Sequence, residues 1–163
     1  WLAGGPPCRA VGAGRRDLFS RVQPNRDVTD HYSVQLDWAN GFHVTFLHSW
    51  VAPADDRFTG NSLQVLGTEG GFDFSTGAMT FRDKAKARQT IHPGVQPDTK
   101  LAVQGFVDAI RRDGPSPAPL SLQEARDATV TALLVRKAVD ERCLGTLAEV
   151  VDQTKPTAAT DLA

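Results

Sequence analysis

Apolar and polar residues alternate most regularly from His31 to Trp38. Tyr32, Val34, Leu36 and Trp38 fall on one side, and His31, Ser33, Gln35 and Asp37 on the other. A period of two predicts a strand with one face in a core. Asn40-Gly41 follows, a pair that tolerates positive φ and predicts a hairpin. The partner strand, Phe42 to Trp50, sets Phe42, Val44, Phe46, His48 and Trp50 against His43, Thr45, Leu47 and Ser49. One of its faces is apolar and the other half-apolar. Arg9 to Gly14 predicts a short strand after the Gly4-Gly5-Pro6-Pro7 turn, where two prolines bar a helix. Leu18 to Asp30 is polar and mixed, and reads as a loop. Short strands at Leu63–Leu66, Phe72–Ser75 and Met79–Arg82 are separated by glycine-bearing turns, which predicts an antiparallel meander. Asp83 to Gln96, with His92-Pro93-Gly94, reads as an exposed loop.

The period then lengthens. Thr99 to Arg112 places Val103, Phe106, Val107 and Ile110 on one helical face, with Asp98 as N-cap and Gly114-Pro115 as stop. Pro115 to Pro119 is a stiff connector. Ser121-Leu122-Gln123-Glu124 has the form of a capping box. The helix it opens is expected to run to about Cys143, with Leu122, Ala125, Thr129, Ala132, Leu133, Val139 and Cys143 on one broad face and Gly145 ending it in the left-handed region. Thr146 to Val150 is expected to return as a last strand. Strands followed by helices predict an α+β fold: an open-faced, largely antiparallel (mixed) sheet of about six strands, with helices packed on one face. The other face is expected to be apolar enough to need a partner. Residues 1–150 are expected to form one domain and 151–163 a flexible tail.

Composition removes several classes. The 163 residues hold 18 Lys+Arg and 19 Asp+Glu, which argues against a general nucleic-acid binder, since that needs a basic face. No apolar run approaches the ~18 residues of a membrane span, and no basic-then-apolar start reads as a signal peptide. Two cysteines are no disulfide framework. Cys8 and Cys143 are expected to be reduced thiols of a cytoplasmic protein. The chain opens on Trp1 without Met, which suggests a piece of something longer.

Familiar catalytic motifs do not form. Gly12-Ala13-Gly14 lacks a third glycine and a following helix, and Gly67–Gly71 joins two strands, so neither has the context of a phosphate-binding loop. His31, His43, His48 and Cys8 lack metal-ligand spacing. Ser49 and His48 are strand neighbours that point to opposite faces and cannot act as nucleophile and base. Asp55-Asp56 beside Arg57 reads as solvated turn charge. What remains is His48, Trp50, Arg57, Phe58 and Asn61, at the end of one strand and the approach to the next. Aromatic walls with a few hydrogen-bonding heads suit a sugar or polyol, whereas core or interface packing would use the same aromatics.

Five segments in order resemble one family. They are Trp1-Leu2-Ala3-Gly4-Gly5-Pro6-Pro7 before a strand, Asp37-Trp38-Ala39-Asn40-Gly41 in a hairpin, and Val65-Leu66-Gly67-Thr68-Glu69-Gly70-Gly71. Phe106-Val107-Asp108-Ala109-Ile110-Arg111 before Gly114-Pro115-Ser116-Pro117, and the Glu124-Ala125 helix ending near Leu144-Gly145, complete the set. Together they resemble the C-terminal domain of the glucose-fructose oxidoreductase / inositol dehydrogenase (Gfo/Idh/MocA) family. The resemblance implies a parent enzyme with an N-terminal Rossmann domain upstream, which would bind NAD or NADP and carry the catalytic lysine and histidine. It implies that this chain walls the substrate cleft, with a sugar-like ligand at His48, Trp50, Arg57, Phe58 and Asn61, and forms a homo-oligomer through its open sheet face. Alone, the chain is expected to bind no cofactor and to catalyse nothing. Asp27-Val28-Thr29-Asp30-His31 has the letters of the family's helical Asp-x-x-x-His but leads into a strand, and reads as coincidence, with Asp27 and Asp30 forming turns. The competing class is a non-catalytic dimerisation or small-ligand-binding module.

Overall fold

The first strand carries almost no side chain on one face. In β1 (Arg9–Arg15) the inward positions are Ala10, Gly12 and Gly14, so a helix can lie close upon it. That helix is α3 (Leu122–Glu141), whose Val130, Leu134, Ala138 and Val139 are buried. A β-carbon at Gly14 would come within 2.7 Å of Val139 Cγ1, and one at Gly12 within 2.6 Å of the Ser33 carbonyl. The glycines of β1 are therefore packing residues. In this computed structural model the described residues are 3–53, 55, 58–91, 98–112 and 121–151. Trp1-Leu2, Arg57, His92-Pro93-Gly94, the Gly114–Pro119 connector and the tail from residue 152 lie outside them, as does the Asp98 side chain expected to cap a helix.

The chain divides into two compact units, Trp1–Ala52 with Leu120–Ala163, and Pro53–Pro119. In the first, β1, β2 (His31–Asp37), β3 (His43–Ser49) and a two-residue β8 (Gly145–Thr146) form an antiparallel sheet in the order β3-β2-β1-β8. Arg15 pairs with His31 and His31 with Ser49, so the end of β1, the start of β2 and the end of β3 share one edge. Asn40-Gly41 turns the β2–β3 hairpin as expected: Gly41 has φ 85, and Asn40 Oδ1 accepts from the Phe42 amide at 3.0 Å. The indole Nε1 of Trp38 donates to the Gly5 carbonyl at 2.7 Å, which ties the Gly-Gly-Pro-Pro turn to the hairpin.

The core of this unit is Ala10, Val34, Leu36, Val130, Leu134, Ala138, Val139 and Val150. Burying a side chain such as Leu134 contributes about 1.5–3 kcal/mol. The apolar residues of β2, with Val44 and Phe46 of β3, lie on the face that α3 packs against. The opposite face therefore holds Arg9, Arg15, Ser33, Gln35, Thr45 and Ser49, with Val11 and Leu47 exposed among them. It is open, as expected, but largely polar rather than apolar.

The second unit holds β4 (Gln64–Leu66), β5 (Gly70–Asp73), β6 (Ala78–Phe81) and β7 (Gln89–Thr90), an antiparallel meander in chain order, and α2 (Asp98–Arg111). The fold is α+β, antiparallel throughout the described residues. The strands divide between two four-stranded sheets instead of one of about six.

Four local expectations are corrected. The Leu18–Asp30 segment contains a four-residue helix, α1 (Phe19–Val22). The Ser121 capping box forms in both directions, but α3 ends at Arg142, which itself takes the left-handed conformation (φ 52), and Gly145 lies in β8. The buried stripe of α3 runs through Val130, Leu134 and Ala138, four residues apart, while Leu122 is almost wholly exposed. Thr146 to Val150 is helix α4 (Leu147–Val151) for most of its length, because the Thr146 amide and hydroxyl both donate to Glu149 Oε2 at 2.7 Å and cap its start.

Candidate functional site

The shared edge of the first sheet is where chemistry-bearing side chains gather. His48 stands on β3 and Trp50 one residue past its end, with ring centroids 4.9 Å apart and edge to face. Tyr32, opposite His48 in the register, lies 5.2 Å from the imidazole and 5.8 Å from Phe46. These rings share the face that α3 covers nearer β1. Trp50 is 61% exposed, so the row ends in an open indole.

Beside Tyr32 the β1–β2 connection forms a wall. The buried carboxylate of Asp30 shapes it. Its Oδ2 accepts the Leu18 and Phe19 amides at 2.6 and 3.2 Å, satisfying donors that open α1, and its Oδ1 has no partner. The Arg26 guanidinium lies 4.0 Å from the centre of the Phe19 ring. Arg16 then pairs with Asp27 within the connection and with Asp140 of α3 at 3.4 Å, while Arg136 pairs with the other oxygen of Asp140 at 3.3 Å. Between the connection, Tyr32 and α3 lies a cleft of about 350 Å³, lined by Thr29, Val135 and Val139 as well as these charges. That is a small-molecule volume.

Of the residues picked from sequence, the structure brings His48 and Trp50 together. Phe58 and Asn61 fall in the second unit, exposed, and Arg57 lies outside the described residues. Sequence reading missed Tyr32, which counts equally as a core position, and Arg16, Thr29 and Asp140, which topology joins from the β1–β2 connection and the distant α3. Asp30 read as a turn former and is instead the buried anchor of the wall. His31 begins β2, so the Asp-x-x-x-His letters span a loop and a strand.

Gly12-Ala13-Gly14 lies inside β1, where Gly12 and Gly14 press against β2 and α3, and β1 leads through α1 into an antiparallel strand, so this glycine pair does not form a dinucleotide loop. Among the described residues there is no group of three metal-ligating side chains, and no helix is long and apolar enough to cross a membrane.

Residues 1–73 match the family model of the GFO/IDH/MocA C-terminal domain, so the resemblance read from the sequence holds over the segment that builds β1 to β5. A comparison with curated proteins finds no match. Solved structures share the fold at low identity. An oxidoreductase from Agrobacterium radiobacter in complex with NAD+, L-tartaric acid and magnesium is 16% identical with a TM-score of 0.60, covering 91% of this chain and 45% of its own. A Desulfitobacterium hafniense protein assigned as an NADPH-dependent oxidoreductase is 15% identical with a TM-score of 0.63, covering 92% and 45%. The aldose-aldose oxidoreductase of Caulobacter crescentus complexed with glycerol is 17% identical with a TM-score of 0.53, covering 89% and 42%. The chain thus spans less than half the length of each of these proteins.

Proposed function

We propose that this chain is the substrate-binding and oligomerisation part of an NAD(P)-dependent oxidoreductase acting on a sugar, polyol or related hydroxyl compound. The carrying observation is that the segment matching the GFO/IDH/MocA C-terminal domain is the one that forms the aromatic row and the wall of the cleft. Solved oxidoreductases of the same fold, one in complex with NAD+ and one with glycerol, support the reading. The cofactor would be held by a part of the parent protein other than the residues described, since β1 offers no cradle for it. The protein's contribution in such chemistry is binding, orientation and electrostatics. His48 and Trp50 would stack on the hydroxylated substrate, and Arg57, Phe58 and Asn61 are proposed as further contacts. Val11 and Leu47 on the uncovered sheet face would form the centre of a contact between subunits. The unpaired thiols of Cys8 and Cys143 accord with a cytoplasmic setting.

The test is to express the complete gene product, titrate it with NAD+ and NADP+, and follow absorbance of the reduced nicotinamide over a panel of sugars and polyols. Cofactor binding with substrate-dependent reduction is the expected result. A complete protein that binds neither dinucleotide would overturn the reading and leave a non-catalytic binding or dimerisation module.

A further inference from the structure

The cleft beside Tyr32 is continuous with a second, more polar one. This second cleft, of about 440 Å³, shares Arg16, Thr29, Val139 and Asp140 with the first and adds Arg15, Asp17 and Arg142. Its charges do not balance. Three arginines and two aspartates line it, and two of the arginines are already engaged: Arg15 with Asp17 at 3.6 Å, and Arg16 with Asp27 and Asp140. Arg142 forms no ion pair among the described residues.

Arg142 is also placed at a conformational cost. It ends α3 with φ 52 and ψ 44, a position that glycine or asparagine fills most easily because a β-carbon there crowds the following carbonyl. Of the non-glycine described residues, Arg142 alone has positive φ. A helix stop needs no guanidinium. Arg142 instead brings a third cation to the edge of the sheet that carries the aromatic row. Guanidinium groups suit carboxylate and phosphate through paired, charge-assisted hydrogen bonds. The adjoining cleft offers neutral groups, the hydroxyls of Thr29 and Tyr32 and the apolar sides of Val135 and Val139.

We propose that the joined clefts bind a small hydroxylated anion, a sugar acid or a sugar phosphate. Its charged end lies between Arg16 and Arg142, and its hydroxylated carbons lie along Thr29 and Tyr32. The proposal names the substrate class of the site described above, and for the hydroxylated part it rests on that reading.

Calorimetric titration of the 163-residue chain with D-gluconate, D-glucose 6-phosphate, D-glucose and inorganic phosphate tests it. One of the two anionic sugars binds at least about tenfold more tightly than glucose, a difference of about 1.4 kcal/mol. Which one it is distinguishes carboxylate from phosphate. Its affinity falls as salt is raised, because exposed charges are screened. Arg142→Gly removes the cation and relieves the backbone, so its Tm holds or rises while anion affinity drops about tenfold. Arg142→Lys restores much of it. Glucose binding as tightly as the anions, unchanged affinity in Arg142→Gly, or no binding of any probe would each overturn the proposal. Inorganic phosphate binding as tightly as the sugar derivatives would overturn its hydroxylated part. Failure of the oxidoreductase reading shows separately: a complete gene product without dinucleotide binding whose gluconate or sugar-phosphate affinity still depends on Arg142 would sink that reading and leave this site standing.

Discussion

The two units of the chain are built on different terms. The first buries eight apolar residues against one another, drawn from two strands and two helices. In the second, Ala78 is the one described apolar residue that is buried, while Leu66, Phe106 and Ile110 are all more than 60% exposed. Its strands are three or four residues long for the most part, held by ladder hydrogen bonds and turns. Hydrogen bonding fixes local shape but contributes little net stability, about 0.5–1.5 kcal/mol per bond, whereas a packed core supplies most of what resists unfolding. The first unit therefore carries both the cleft and the means to hold it rigid.

The largest test of this contrast is Leu134→Ala. Leu134 is wholly buried between α3 and β1, and the cavity left behind costs about 2–5 kcal/mol. Urea denaturation followed by circular dichroism reads it as a fall in midpoint. A loss under 1 kcal/mol would mean that the core is not where stability resides.

Asp30→Ala comes next. It removes the acceptor of two part-buried amides at the start of α1, and leaving such donors unmade costs up to about 3 kcal/mol. Because the same carboxylate shapes the wall bearing Arg16, ligand affinity at the cleft falls with stability. Hydrogen exchange localised to residues 16–30 separates this loosening from global unfolding.

Acidification acts more gently. The carboxyl of Glu149 is held below the usual glutamate value by the Thr146 hydroxyl and then the Thr146 amide, and that of Glu124 by the Ser121 amide and then its hydroxyl. A depressed folded value means stability present above about pH 4.5 and lost as pH falls through the lower value. Helical circular dichroism between pH 6 and pH 2 shows a decline that is shallower in Glu149→Gln. Identical profiles would remove that cap from the account.

The smallest expected effect is in the second unit. Phe106→Ser on α2 changes a residue 64% exposed and shifts stability by no more than about 0.5 kcal/mol. A larger loss on the same denaturation curve would show that this face is covered, and would erase the contrast between the units.

How much of this was legible follows the range of the forces involved. The β2–β3 hairpin, α2 and the Ser121 capping box were readable because alternation, Asn-Gly and Ser-x-x-Glu act within a few residues. The end of α3 was misjudged because Gly145 is the better left-handed residue in isolation, while the pairing of Ala10 with Gly145 commits it to β8. Thr146–Val150 has strand composition, and one Thr–Glu cap outweighs it. Half of the aromatic row was found, since His48 and Trp50 lie two apart on one strand. The arginine-lined clefts were not, because Arg15, Arg16 and Arg142 meet only through a sheet register and a helix that returns more than a hundred residues later.

The central claim is that this edge of the first sheet is the wall of a substrate site. Steady-state kinetics of Trp50→Ala in the complete enzyme, on its preferred substrate, tests it most directly. The account predicts a KM raised about tenfold with kcat within a factor of about three, the pattern of lost uniform binding. Unchanged KM and kcat would contradict it, and would return the aromatic row to a purely structural role.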